Sequence, residues 1–279
     1  MKEHPGKVWI CLVVGAGLAG SLIACSTDKA LLIGDEQERE VGVQVDQQIR
    51  QEYTVCDPPV CEQQILQYVS ALGNQMAAKS DRNDIAYTFT VLHSDEINAF
   101  AAPGGFIYIT TGLLRESKNA SEVAGVLGHE IGHIVERHGA EQMEAQLGAE
   151  LLRDLIFGTE ATTASTVADI VFGSYSAFVQ SPEKELEADV HGVLLPTAIN
   201  YTPNGLIGFF KTLQVLFGDE SSPLSEILST HPQPAERISH AEQTMTELGI
   251  KAQDYPEDTT NPPFSTIRSM LPPPAGDIQ

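Results

Sequence analysis

His129-Glu130-Ile131-Gly132-His133 is the stretch of this chain whose residue types and spacing carry chemistry most directly. Val123, Val126, Leu127, Ile131, Ile134 and Val135 recur around it with helical spacing. On a helix, residues at i and i+4 project from one face, one turn apart. Two imidazoles so placed can share a zinc ion, and Glu130 then lies beside it to take a proton from metal-bound water. The plainer alternative is a buried or surface histidine pair. Two neutral imidazoles are insufficient in any case, because a catalytic zinc takes a third protein ligand and keeps one open position. Downstream, Glu185-Leu186-Glu187-Ala188-Asp189 offers three acids on another helical stretch, and by itself such a run is most often a solvated helix face. Glu185 and Asp189, at i and i+4, repel mildly unless a cation or donor stands between them. A zinc ligand at Glu185, with Asp189 accepting from a ligand imidazole N–H, would resolve that repulsion. Glu187 points elsewhere on the helix and is the weaker ligand candidate.

These groups need elements to hold them. Ile65, Leu66, Val69, Leu72 and Met76 mark an amphipathic helix within 60–79. Alternation over Ile85–Leu92 suits a strand. The Pro103-Gly104-Gly105 turn leads into Phe106-Ile107-Tyr108-Ile109-Thr110, a second β run and a hairpin neighbour. A long helical pattern opens at Ser121 and Glu122. Helix resumes over 140–156, and Gly158 with the Thr/Ala/Ser run at 161–166 interrupts it. Further helices are expected at about 167–180, 183–195, 203–217 and 234–248. The fold class is therefore α+β, mostly helical, with a small sheet and the HExxH motif on a helix. Residues 25–59 read as a polar tether and entry segment, entering a helix near Val41–Gln51, and 60–250 as the chemical domain. Residues 251–279, with six of the sixteen prolines after Asp254, read as an extended or disordered acidic tail.

Several pieces together resemble a known family. They are Asn98-Ala99-Phe100 with Pro103-Gly104-Gly105, Thr111-Gly112-Leu113-Leu114, Glu122 through Gly128 running into the HExxH, and Glu185 to Asp189. The chain resembles the HtpX-type, CAAX-prenyl-protease-related zinc metallopeptidases, a gluzincin family, and is most similar to their periplasmic lipoprotein type. The resemblance implies a zincin-like metallopeptidase domain with one Zn²⁺ per chain on His129, His133 and Glu185. It also implies Glu130 as general base and Asp189 in support of the ligands. His231-Pro232 followed by Arg237 resembles a further element of the family. By that resemblance His231 reaches the zinc site, to stabilise the oxyanion or to cap the resting metal, and Arg237 supports the site. Where relatives often carry Ser-Arg before the acidic motif, this chain has Ser181-Pro182. His138, His191 and His240 read as ordinary surface or helix-end histidines.

The first 24 residues differ from the rest. They hold Lys2 and Lys7 against Glu3, with no charge over 8–24, which is the layout of a secretory signal. The run ends in Leu22-Ile23-Ala24-Cys25, resembling a bacterial lipobox. That implies a lipidated Cys25 as the new N-terminus, and Ser26 after it implies sorting to an outer membrane. The alternative is a retained helix at the short edge of what spans a bilayer.

The chain has 279 residues and a formal charge of −22; removing the leader, which carries +1, leaves −23. Such a body is repelled by phosphate backbones, which excludes nucleic acid, and it reaches a membrane through lipid on Cys25 rather than through basic residues. Cys56 and Cys61 are most simply a local disulfide in an oxidising compartment, with two free thiols as the alternative.

The combined expectation is a zinc-dependent endopeptidase of the bacterial cell envelope, on the periplasmic face of the outer membrane. Its substrates are unfolded or misassembled envelope proteins, which it would pair with along an edge strand at Phe106, Ile107, Tyr108 and Ile109. The alternative is a chaperone-like assembly factor with envelope assembly partners and a regulatory, rarely cleaving zinc site.

Overall fold

Every residue of β3 (Phe106–Thr110) is buried, as a strand covered on both faces requires. β3 pairs in parallel with β1 (Thr88–Leu92), Phe106 opposite Thr88. On its other side it pairs antiparallel with β2 (Ala99–Ala102), Ala102 opposite Phe106. The strand order is β1-β3-β2, so Phe106–Ile109 is the central strand and the expectation of an edge strand there is corrected. A run of large apolar residues on both faces signals cover above and below, and the pairing on either side is what makes the strand central. The hairpin at Pro103-Gly104-Gly105 joins β2 to β3. Both glycines hold left-handed backbone, φ 73° and 92°, which a side chain would oppose.

The computed structural model describes residues 31–157, 161–175, 181–217 and 234–277. The expected signal, Cys25 and His231 fall outside them. On one face of the sheet, Ile107 and Ile109 join a core with Ile65, Val69 and Leu72 of α2 (Gln63–Ala77) and with Val123, Leu127 and Ile131 of α4 (Ala120–Val135). A short α3 (Thr111–Glu116) leads from β3 toward α4, whose first turn is capped by the Asn119 side chain accepting from Glu122 N at 3.0 Å. On the other face, Phe106 and Tyr108 pack with α1 (Asp35–Glu52) and α7 (Ala161–Tyr175). Between α4 and α7 lie α5 (His138–Gln146) and α6 (Ala149–Phe157). Then α8 (Pro182–Ala198) and α9 (Asn204–Phe217) pack against α4, and α10 (Pro234–Glu247) packs on α8 and α9.

Three boundaries differ from the sequence reading. The helix expected near Val41–Gln51 starts earlier, at Asp35, so residues 35–40 are not tether but the first turns of α1 (Asp35–Glu52), whose Val41, Val45 and Ile49 are in the core. The 161–166 run does not interrupt helix but opens α7; small residues there lack the apolar periodicity that would mark it. Residues 251–277 are a strap rather than a loose tail. Glu257 O accepts from Ser121 N, and Pro256 O from Thr202 N. The helix α11 (Phe264–Ser269) sends Phe264 and Ile267 into the core. No helix among the described residues is long and apolar enough to cross a membrane.

Candidate metal centre

The centre is built where α4 meets α8, and glycines set how close they come. A Cβ on Gly132 would sit 2.9 Å from Ala188 O, and one on Gly128 would sit 3.1 Å from His191 O. With no side chain between the two helices, α4 presents His129 and His133 directly to Glu185 and Asp189 on α8. α8 starts at its proline, with the Ser181 side chain accepting from Lys184 N.

His129 Nε2 and His133 Nε2 lie 3.0 Å apart. Glu185 Oε1 is 3.4 Å from His133 Nε2, and its Oε2 is 3.6 Å from His129 Nε2. One ligand atom from each residue falls within 4.8 Å of the others. Tetrahedral zinc with bonds of about 2.0–2.1 Å holds its ligands roughly 3.3 Å apart, so the three fit one ion. Charge agrees with this fit: Glu130, Glu185 and Asp189 are all buried, against one buried guanidinium, Arg237. A divalent cation offsets that surplus of buried acid. Burial first, and Arg237 second, push the His129 imidazole below its ordinary range. Burial does the same for His133. Both shifts favour the neutral ring, the form that metal ligation requires.

Behind the ligands, Asp189 Oδ1 lies 2.9 Å from His129 Nδ1 and accepts a hydrogen bond from it when that nitrogen carries the ring's proton. Arg237 donates to both Asp189 oxygens, from Nε at 2.9 Å and Nη2 at 2.6 Å, and reaches Glu185 Oε2 from Nη1 at 2.8 Å. It is the cation that Glu185 and Asp189 need between them, and its plane lies 4.4 Å over the Phe210 ring. Burial works against the Asp189 carboxylate, yet the charge and hydrogen bonds of Arg237 hold its pKa below the usual range.

The structure thus brings His129, Glu130, His133, Glu185, Asp189 and Arg237 together; His231 lies outside the described residues. Cys56 and Cys61 are bonded to each other and buried beside α2. Two histidines read as ordinary surface or helix-end residues lie near the centre, and for His138 that reading is corrected. His138 is buried, its Nδ1 2.8 Å from His133 Nδ1, and its Nε2 lies 3.0 Å from Glu187 Oε2. Burial, and then His133, pull His138 down to about 4. No periodicity predicts this contact, because α4 ends at Val135 and the chain reverses at Arg137 through left-handed backbone, φ 59°. His191, in turn, holds Glu136 at 2.6 Å.

Comparison with known proteins agrees with this geometry. The chain is 28% identical to the beta-barrel assembly-enhancing protease of Escherichia coli (strain K12), over 84% of this chain and 48% of that protein. It is 30% identical to the metalloprotease YcaL of the same organism, over 60% of this chain and 72% of YcaL. It is 34% identical to the mitochondrial metalloendopeptidase OMA1 of Arabidopsis thaliana, over 58% of this chain and 32% of OMA1. The chain spans about half the length of the beta-barrel assembly-enhancing proteases that it matches. Peptidase family M48 matches residues 64–245, from the first turn of α2 nearly to the end of α10 and across every ligand of the centre, and the chain belongs to that metallopeptidase family.

Proposed function

We propose that this chain is a zinc-dependent endopeptidase of the bacterial cell envelope that cleaves unfolded or misassembled proteins. The convergence of His129, His133 and Glu185 beside a buried Glu130 carries the reading. His129, His133 and Glu185 would hold zinc, which when bound supplies a Lewis acid and a readily deprotonated water. Glu130 accepts the proton of the attacking water and hands it to the leaving amine. Asp189 holds the His129 tautomer, and Arg237 fixes Asp189 and Glu185. The test compares zinc content and peptide products for wild type and Glu130→Gln on an unfolded test protein. The variant keeps about one zinc per chain and loses cleavage; undiminished cleavage would falsify the role of Glu130.

The envelope assignment draws on the leader, on the Leu22–Cys25 run and on relatives named for beta-barrel assembly. Cys25 would carry lipid, and Cys25→Ser would then release the protein or block its processing. Unchanged membrane retention after a detergent-free wash would refute the anchor. Those relatives' names join assembly to proteolysis, which favours one second reading: an assembly factor whose zinc site seldom cleaves. Metal-dependent product from a denatured envelope protein supports the protease; binding without product supports the assembly factor.

A further inference from the structure

We infer that His138, held by Glu187, is the positioning residue that fixes the ring of His133 for metal binding. The inference rests on the zinc reading above and extends it to two residues that this reading leaves without a role.

The proton count leads there. His133 Nε2 faces His129 Nε2 at 3.0 Å and Glu185 Oε1 at 3.4 Å, so with zinc there its lone pair would face the metal and its proton would sit on Nδ1. The atom facing that proton is His138 Nδ1, at 2.8 Å, which accepts only when the proton of His138 sits on Nε2. Glu187 Oε2, 3.0 Å from that Nε2, accepts it. Each ring then has a single tautomer, and the carboxylate at the far end selects it. The two ligand histidines are thus served differently: His129 by Asp189 directly, His133 by a carboxylate acting through a second imidazole. Fixing ligand orientation in this way is what outer partners of metal sites do.

The backbone supports the same arrangement. His138 follows Arg137, a non-glycine residue in left-handed backbone, a conformation that the Cβ of any such residue opposes. Arg137 is tied down there, donating from Nη2 to Ile33 O at 2.6 Å and to the buried Glu38 at 3.2 Å. The strained turn folds α5 back so that the His138 ring meets His133 edge-on, with centroids 5.0 Å apart. Glu187 sits on α8 between the ligand Glu185 and Asp189, its side chain 59% exposed. A purely solvated role would not require it to meet a buried ring.

The test measures zinc affinity of the full chain by competition with a chromogenic chelator, and metal-free thermal unfolding beside it. His138→Phe keeps the ring's bulk but accepts no hydrogen bond, and its zinc affinity should fall about 10–100-fold. His138→Asn places a carbonyl oxygen near the Nδ1 position and should recover most of that loss. Packing alone predicts the opposite order, with Phe tolerated and Asn damaging. Should His138→Phe fail to fold, Glu187→Ala supplies the test at an exposed position. It should weaken zinc about tenfold with unchanged metal-free stability, and add nothing when combined with His138→Asn. Wild-type zinc affinity in His138→Phe or in Glu187→Ala overturns the inference. Wild-type protein that binds no zinc overturns the metal reading itself, and this one with it.

Discussion

At the scale of single residues, the centre places acid where only a cation makes acid tolerable. Glu185 is 1% and Asp189 0% exposed, and one guanidinium satisfies both. Removing one partner of a buried ion pair costs about 3–5 kcal/mol, because the remaining charge is stranded. Metal-free Arg237→Ala should therefore lose roughly that much stability in chemical denaturation. Arg237→Lys should recover only part, since an ammonium cannot make the two-nitrogen contact with Asp189. A loss below about 1 kcal/mol in Arg237→Ala would show that something else compensates the two acids. The sequence made this site legible because helical period alone puts His129 with His133, and Glu185 with Asp189, on shared faces. It could not reveal His138, whose contact depends on a left-handed turn at Arg137, a residue type that signals no turn. Nor could it reveal that Glu187, off the ligand face of α8, points at that ring.

At the scale of elements, α4 is wedged between two partners and has no side chain to spare. A Cβ on Gly125 would lie 2.3 Å from Leu206 N, a backbone atom of α9 that cannot turn aside. A Cβ on Gly192 of α8 would meet Leu206 Cδ2, the end of a buried side chain, at 2.6 Å and Gly125 O at 3.1 Å. Each Gly→Ala change gains about 1 kcal/mol of helix propensity. Overpacking of about 1–3 kcal/mol or more outweighs that gain at Gly125, where only backbone could yield, whereas at Gly192 a shift of the Leu206 side-chain end relieves the shorter contact. Gly125→Ala should therefore be the more destabilised of the two and bind zinc more weakly, with Gly192→Ala losing less stability. Equal denaturation midpoints for the two would contradict the wedge. The helices flanking α4 were legible from their apolar period. Strand order was not, because a run such as Phe106–Thr110 reads alike at the centre or the edge of a sheet. Pairing is a long-range fact: β2, only Ala-Phe-Ala-Ala, carries too little apolar bulk to advertise itself, yet it sets β3 in the middle.

At the scale of the whole molecule, the charge of −22 and the six late prolines draw attention away from segments that complete the core. α1 carries six acids, four of them exposed, and the strap carries the six late prolines. Both look like solvated chain when composition is read without contacts. Yet Val41, Val45, Ile49, Phe264 and Ile267 are each at most 1% exposed. At about 1.5–3 kcal/mol per buried side chain, these five together contribute roughly 8–15 kcal/mol. That is an upper figure, since unfolded chains already hide some surface, but it matches a typical domain's whole stability of about 5–15 kcal/mol. The two segments also brace the metal centre, α1 through Glu38 on Arg137 and the strap through Glu257 on Ser121 at the start of α4. A fragment spanning residues 54–250 keeps the disulfide and every zinc ligand but lacks both segments. It should show no cooperative thermal transition by circular dichroism and bind zinc far more weakly than the full chain, while a fragment spanning 31–277 should match the full chain in both. A cooperative melt of 54–250 at the full chain's midpoint would mean that α1 and the strap lie on a finished domain instead of completing it.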